Sequence, residues 1–261
     1  IAMQYDQTSP FTGKLQSMLT APEMAADLQK AITKLSVNQQ TQAKAALARV
    51  LEFDGKLSAT SADGALYQAF LQESAKQIFL DELGPTDSPG WQALVHNADM
   101  SYSAQADHLT GRSDSPFWDD IATAQKEDKA AILARSLAAA QAYCEQRMGT
   151  DSRNWQWGKL HTYRWTSDAT LMAPFMSSSE RASIAAIKNY LDRGPFLAGG
   201  DHTTLNVSAY HWGENFDTWL IPAMRIIVDF NREEPTFGHN SSGQTGIPPG
   251  PHYVDGIEAW F

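Results

Sequence analysis

Three short strand candidates stand at the end of a chain whose first 149 residues read as helix, and they are too few to close a sheet of their own. They are Trp155–Trp165 (WQWGKLHTYRW), Thr203–Tyr210 (TTLNVSAY) and Ala223–Phe230 (AMRIIVDF). A sheet this small, with helices on one side, is marginal in water. The strands therefore form either a small α+β sheet or one edge of a larger sheet whose other strands lie in different polypeptide. Helices first and strands last define an α+β chain. A helical region covers residues 1–149 and a strand-rich part covers 150–261, with a soft boundary between Gly149 and Asn154.

The helical reading rests on spacing. Met24, Leu28, Ile32 and Leu35 recur at intervals of three and four after Pro22, which suits a first helical turn. Ala45, Leu47 and Val50 continue the pattern beyond a polar break at Asn38, Gln39 and Gln40. Asp54-Gly55 and Asp63-Gly64 mark a loop over Glu52–Gly64. Leu66, Phe70, Ile78 and Leu80 then line a helix that stops at Gly84-Pro85. The stretch GWQALVHNADMSYSAQADHL reads as a short helix. Ser115, Pro116 and the acidic pair Asp119-Asp120 mark another helix start. Lys126 to Met148 is rich in Ala and Leu and ends at Gly149, and Ser178–Leu191 follows cap-like serines.

Charge and chemistry exclude several classes. The net charge of −10 disfavours a nucleic-acid partner and an anionic membrane surface. No apolar run approaches the roughly 20 residues of a membrane span. Cys144 is the only cysteine, so the chain holds no internal disulfide and no CxxC motif. Ser241 and Ser242 stand near Gly243 without the G-x-S-x-G spacing. The seven histidines (His96, His108, His161, His202, His211, His239 and His252) form no H-x-x-x-H or H-E-x-x-H pair, though His96 precedes Asp99 by one turn. Gly199-Gly200-Asp201 lacks a Walker lysine and reads as a tight turn. Trp155, Trp157, Tyr163 and Trp165 either stack on a ligand, making the chain a non-catalytic binding module, or serve as core and interface aromatics. Asp119-Asp120 and Glu233-Glu234 read as solvated charges. No residue of the chain presents itself as catalytic, cofactor-binding or metal-binding.

The closing stretch SSGQTGIPPGPHYVDGIEAW resembles the end of the penicillin acylase family, the large N-terminal-nucleophile amidohydrolases. Further segments are similar to family segments in the same order: MQYDQTSPFTGKL, FDGKLSATSADGALYQAFLQESAKQIFLDELG, NWQWGKLHTYRW, GGDHTTLNVSAY and MRIIVDF. The chain departs from the pattern at Phe53, Thr245, Val254 and Gly256. The resemblance implies the C-terminal portion of a large subunit, released by autocatalytic cleavage of a precursor, with the strands completing an αββα sandwich. It implies hydrolysis of a linear amide, such as a β-lactam side chain or an N-acyl homoserine lactone, in the periplasm, with no cofactor. The nucleophilic serine and the oxyanion-hole asparagine would then precede Ile1, and this chain alone would be inactive. Its partners would be the small subunit and the N-terminal part of the large subunit; a purely structural partner subunit is the other possibility. The same resemblance implies an ordered tail, with His252 and Tyr253 bonding across its loop.

Overall fold

The computed structural model describes residues 2–97 and 105–260. Asp99 and part of the stretch read as a helix after Gly90 lie outside the described residues. The helices are α1 (Thr12–Thr20), α2 (Pro22–Thr33), α3 (Val37–Glu52), α4 (Ala62–Leu83), α5 (Pro89–Val95), α6 (105–110), α7 (Lys129–Met148), α8 (Trp157–Leu160), α9 (Asp168–Met172), α10 (Ser178–Leu191) and α11 (Ile257–Trp260). The strands are β1 (Thr162–Trp165), β2 (Arg193–Leu197), β3 (Met224–Val228) and β4 (Thr236–Asn240). The chain is α+β, with a helical first half.

Two long helices organise the core. α4 is buried around most of its circumference, polar Gln68, Gln72 and Ser74 included. α7 packs against α2, α3 and α4. Its buried alanines Ala130, Ala134 and Ala138 repeat every four residues, a row of small side chains that lets neighbouring helices approach closely. Asp128 caps α7 by accepting from the Ala131 amide at 2.8 Å, and Gly149 ends it at φ 87°. Gly84 ends α4 in the same way, at φ 86°. The polar break in the sequence is itself a helix start. Ser36 and Gln39 form a reciprocal capping box, so Asn38–Gln40 open α3 and the interruption falls at Lys34–Leu35.

The core continues past residue 150. Trp155, Trp157, Tyr210, Trp212 and Phe216 belong to the same cluster of buried side chains as the helices. The start predicted at Ser115 yields only a 3-10 turn over Pro116–Trp118.

The strands differ from their sequence pattern in instructive ways. Trp155–Trp165 divides into α8 and β1. Trp157 and His161, four residues apart, stack with centroids 4.5 Å apart, a helical spacing hidden inside an alternating aromatic pattern. Thr203–Tyr210 forms no strand. The Asp201 carboxylate takes the Thr203 and Thr204 amides at 2.7 and 3.1 Å, a local turn that competes with ladder pairing, and only the isolated bridge Ala209–Leu220 remains. Ala223–Phe230 contains β3 as expected, and β2 and β4 are additions.

The sheets are two separate antiparallel pairs, β1 with β2 and β3 with β4. β3 runs against β4 from Met224 opposite Asn240 to Val228 opposite Thr236. Met224, Ile226 and Val228 are exposed along one side of β3.

Replacing the Ser36 cap by alanine is expected to cost about 1 kcal/mol, whereas Asn38→Ala changes stability by less than about 0.5 kcal/mol. Urea midpoints of the two variants against the parent check the difference.

Candidate functional site

Four of the six segments that carry the sequence motifs meet at one loop, Phe53–Ser61. The Ser9 amide donates to the Gly55 carbonyl at 2.9 Å, and the Leu57 amide to the Gln7 carbonyl at 3.0 Å. The Gly200 amide then donates to the Leu57 carbonyl at 2.6 Å. The Gly158 amide reaches Ala59 at 2.7 Å and the Trp157 amide reaches Ser61 at 2.9 Å. Close backbone approach explains the glycines. A Cβ on Gly158 would lie 2.7 Å from the Leu197 side chain and 3.0 Å from the Ala59 carbonyl; Gly200 has φ +78° and the Asn206 carbonyl 2.6 Å from such a Cβ.

A buried polar network lies under this junction. Asp201 is 1% exposed; its second oxygen accepts from Gln68 Nε2 of α4 at 2.8 Å, and the Tyr210 hydroxyl donates to Gln68 Oε1. Burial, followed by the Asp201 charge, pushes the Tyr210 phenol well above its ordinary range. His161 is fully buried. The Phe216 carbonyl, 2.6 Å from Nδ1, can only accept, so Nδ1 carries the proton and Nε2 accepts from the Ser208 hydroxyl at 2.9 Å. Burial pulls the His161 pKa down to about 4 against the hydrogen bonds and acids that raise it.

Ser208 with His161 has the arrangement of a nucleophile and its base, which the sequence spacing did not show. The adjoining cavity holds only ≈ 50 Å³, and Ser208 is 4% exposed, so no acyl amide fits there. The pair works as a buried hydrogen bond that fixes the His161 ring against Trp157. The Trp157-x-x-x-His161 spacing was the available signal.

A cavity of ≈ 550 Å³ opens between Trp165–Ala169, Arg193 and the tail loop around Gly243–Gly246. Arg193 is already engaged: Nη1 donates to the Tyr190 carbonyl at 2.8 Å at the end of α10, and the guanidinium lies 5.3 Å from the Tyr253 ring centroid. The Thr245 amide bonds the His252 carbonyl at 3.2 Å, which closes the tail loop. His252 Nδ1 pairs with Asp255 at 2.7 Å. Tyr253, however, donates to the Leu191 carbonyl at 2.6 Å, so its hydroxyl anchors the tail to α10 rather than bridging the loop.

The remaining candidates are dispersed. Trp155 and Trp157 are buried, and their indole N–H groups donate to the carbonyls of Gly149 and Gly200, so neither offers a face to a ligand. Tyr163 and Trp165 are half-buried. Asp119-Asp120 is not a pair of solvated charges. Asp119 accepts from the Glu127 amide and Asp120 pairs with Arg135 at 3.1 Å, because the turn before α7 folds them inward. Beside them, burial and then Asp81 push Glu82 up to about 7 at the C-terminal end of α4, where the helix dipole also disfavours an anion. Glu233-Glu234 is exposed. Among the described residues no His, Cys, Asp and Glu side chains cluster as a metal site. Burial pushes the Cys144 thiol up to about 12, which leaves it inert.

Four motif segments therefore converge on a junction that holds no catalytic constellation among the described residues. Comparison with known proteins gives that arrangement its context. The penicillin amidase family model matches residues 1–261, and the chain belongs to that family. It is 65% identical over its whole length to an acyl-homoserine lactone acylase, QuiP, of Pseudomonas aeruginosa, covering 31% of that protein. It is 55% identical to the protein of that name from Pseudomonas syringae and 50% to that from Pseudomonas putida, covering 30% of each. The chain thus spans less than a third of the length of these relatives. No helix among the described residues is long and apolar enough to cross a membrane.

A buried histidine with a depressed pKa sets the sign of an acid effect. His161 stays neutral in the fold while the unfolded chain binds a proton near pH 6.5. Its contribution is complete above pH 6.5 and is lost as pH falls toward 4, about 3 kcal/mol in all. His161→Asn, compared with the parent in urea melts across pH 4–7, should show a flatter slope through that window.

Proposed function

We propose that this chain is the C-terminal portion of an acylase that cleaves the linear amide of an N-acyl homoserine lactone, releasing a fatty acid and homoserine lactone. The observation that carries the reading is the 65% identity, over all 261 residues, to a relative named for that activity, within a family match of the same extent. A β-lactam side chain is the related amide substrate.

The catalytic serine lies in this reading upstream, at the N-terminus of a large subunit freed by cleavage of a periplasmic precursor. Its α-amine acts as base and takes the hydroxyl proton as the oxygen attacks the amide carbonyl. Support comes from the share of the relatives that the chain spans and from the structure of its own groups. The Ser208–His161 pair is sealed from substrate. The chain's part is a framework. Its helical core carries the junction at Leu57, and β1–β4 join strands of the upstream polypeptide in an αββα sandwich. Exposed Met224, Ile226 and Val228, on one face of β3, support that role, because an apolar strand face of this kind needs a cover.

The full precursor is expected to release homoserine lactone from N-acyl homoserine lactones, and residues 1–261 alone to release none. Replacing the upstream N-terminal serine by alanine should lower turnover at least about a thousandfold. Chromatographic quantification of the lactone checks all three; turnover by the isolated residues 1–261 would overturn the assignment.

A further inference from the structure

β3 inverts the usual burial of a strand. Its apolar residues Met224, Ile226 and Val228 are exposed, and its one charged residue, Arg225, is 7% exposed. The guanidinium carbon lies 4.2 Å from the Tyr5 ring centroid and 4.3 Å from that of Trp260. At its edge, Nη1 donates to the Gln4 carbonyl at 2.5 Å and Nη2 to Asn206 Oδ1 at 2.8 Å. Nε is buried and has no hydrogen-bond partner. Both acceptors are neutral, and no carboxylate among the described residues forms an ion pair with Arg225. This happens in a chain with 30 acidic residues, so the missing counter-charge is not a matter of supply.

A buried cation with neutral partners alone is costly, and a guanidinium cannot relieve the cost by giving up its proton. Burial does pull the Arg225 pKa below the ordinary guanidinium range, against Tyr5. Beside it lies a cavity of ≈ 50 Å³ with Gln7, Asn206 and Ser208 on its wall, room for a group of few atoms. The unpartnered Nε beside the two Nη groups suits a planar acceptor with two oxygens.

We propose that Arg225 is the docking point for a carboxylate of an aspartate or glutamate in the polypeptide outside these residues in the whole protein. The inference rests on the reading of the chain as part of a longer acylase and names the contact that joins it to the rest. One observation favours a polypeptide carboxylate over a free one: the relatives are about three times as long as this chain, so most of the polypeptide lies outside these residues.

The test is carbodiimide labelling of carboxylates in the full-length protein, read by peptide mass spectrometry, for the parent, Arg225→Lys and Arg225→Met. One acidic residue outside residues 1–261 should label at least tenfold less than exposed carboxylates in the parent. It should rise to their level in Arg225→Met and stay partly protected in Arg225→Lys. If Arg225→Met does not fold, conversion of the protected acid to its amide keeps the test open: with Arg225 intact it should lower the melting temperature by several degrees. Absence of any such protected acid, or a melting temperature unmoved by its conversion, overturns the proposal. So does a rise in parent melting temperature with millimolar formate that Arg225→Lys lacks, which would assign the site to a free carboxylate. Homoserine lactone release is measured in parallel. Protection without turnover leaves the docking contact standing while the functional reading fails; turnover without protection does the reverse.

Discussion

The backbone hydrogen bonds around Leu57 are the constraint on which the rest of this chain depends. The Leu57 amide and carbonyl reach Gln7 on one side and Gly200 on the other. Ala59 and Ser61 take the amides of Gly158 and Trp157. Residues between 50 and 143 positions apart are thus locked at backbone level, where no side chain intervenes. Such bonds are expensive to leave unmade in a buried place. That explains why the loop is tied to glycines and why α4, which begins directly after it, is held against the second half of the chain.

Below the junction the polar network does a different job. Asp201 joins α4 to the turn after β2 through Gln68, and His161 joins α8 to the segment around Phe216 and Ser208. Each bond is buried, and burial holds the His161 pKa well below its ordinary range and that of Tyr210 well above, without any reaction to serve. Shifted pKa values gather at functional sites, but buried structural networks produce them as well. Ser208 and His161 illustrate the second case: bonding geometry alone suggests a nucleophile, and access decides against it.

The helical half was readable in detail because its signals are local. Pro22, the glycines at 84 and 149 and the run before Met148 gave starts and stops that the structure keeps. Ser36 was passed over because the polar residues after it looked like an interruption, although Ser36 and Gln39 have the spacing of a capping box. The strand half was less legible. Alternation in WQWGKLHTYRW concealed a helical turn, and Asp201 diverted TTLNVSAY into turns by bonding its own neighbours. Asp119-Asp120 was misread because an acidic pair in sequence carries no information about the arginine that folds over it.

The sequence by itself determined the α+β order of the chain, the helix ends and, through motifs in a fixed order, membership of the penicillin amidase family. These are properties of neighbouring residues, or of segments whose order survives without coordinates. Only the tertiary structure decided that Arg225 is buried while the apolar residues beside it are exposed, that Trp155 and Trp157 belong to the core, and that Ser208 meets His161. Each of these depends on which distant surfaces exclude water from a given side chain, and periodicity along the chain cannot encode that.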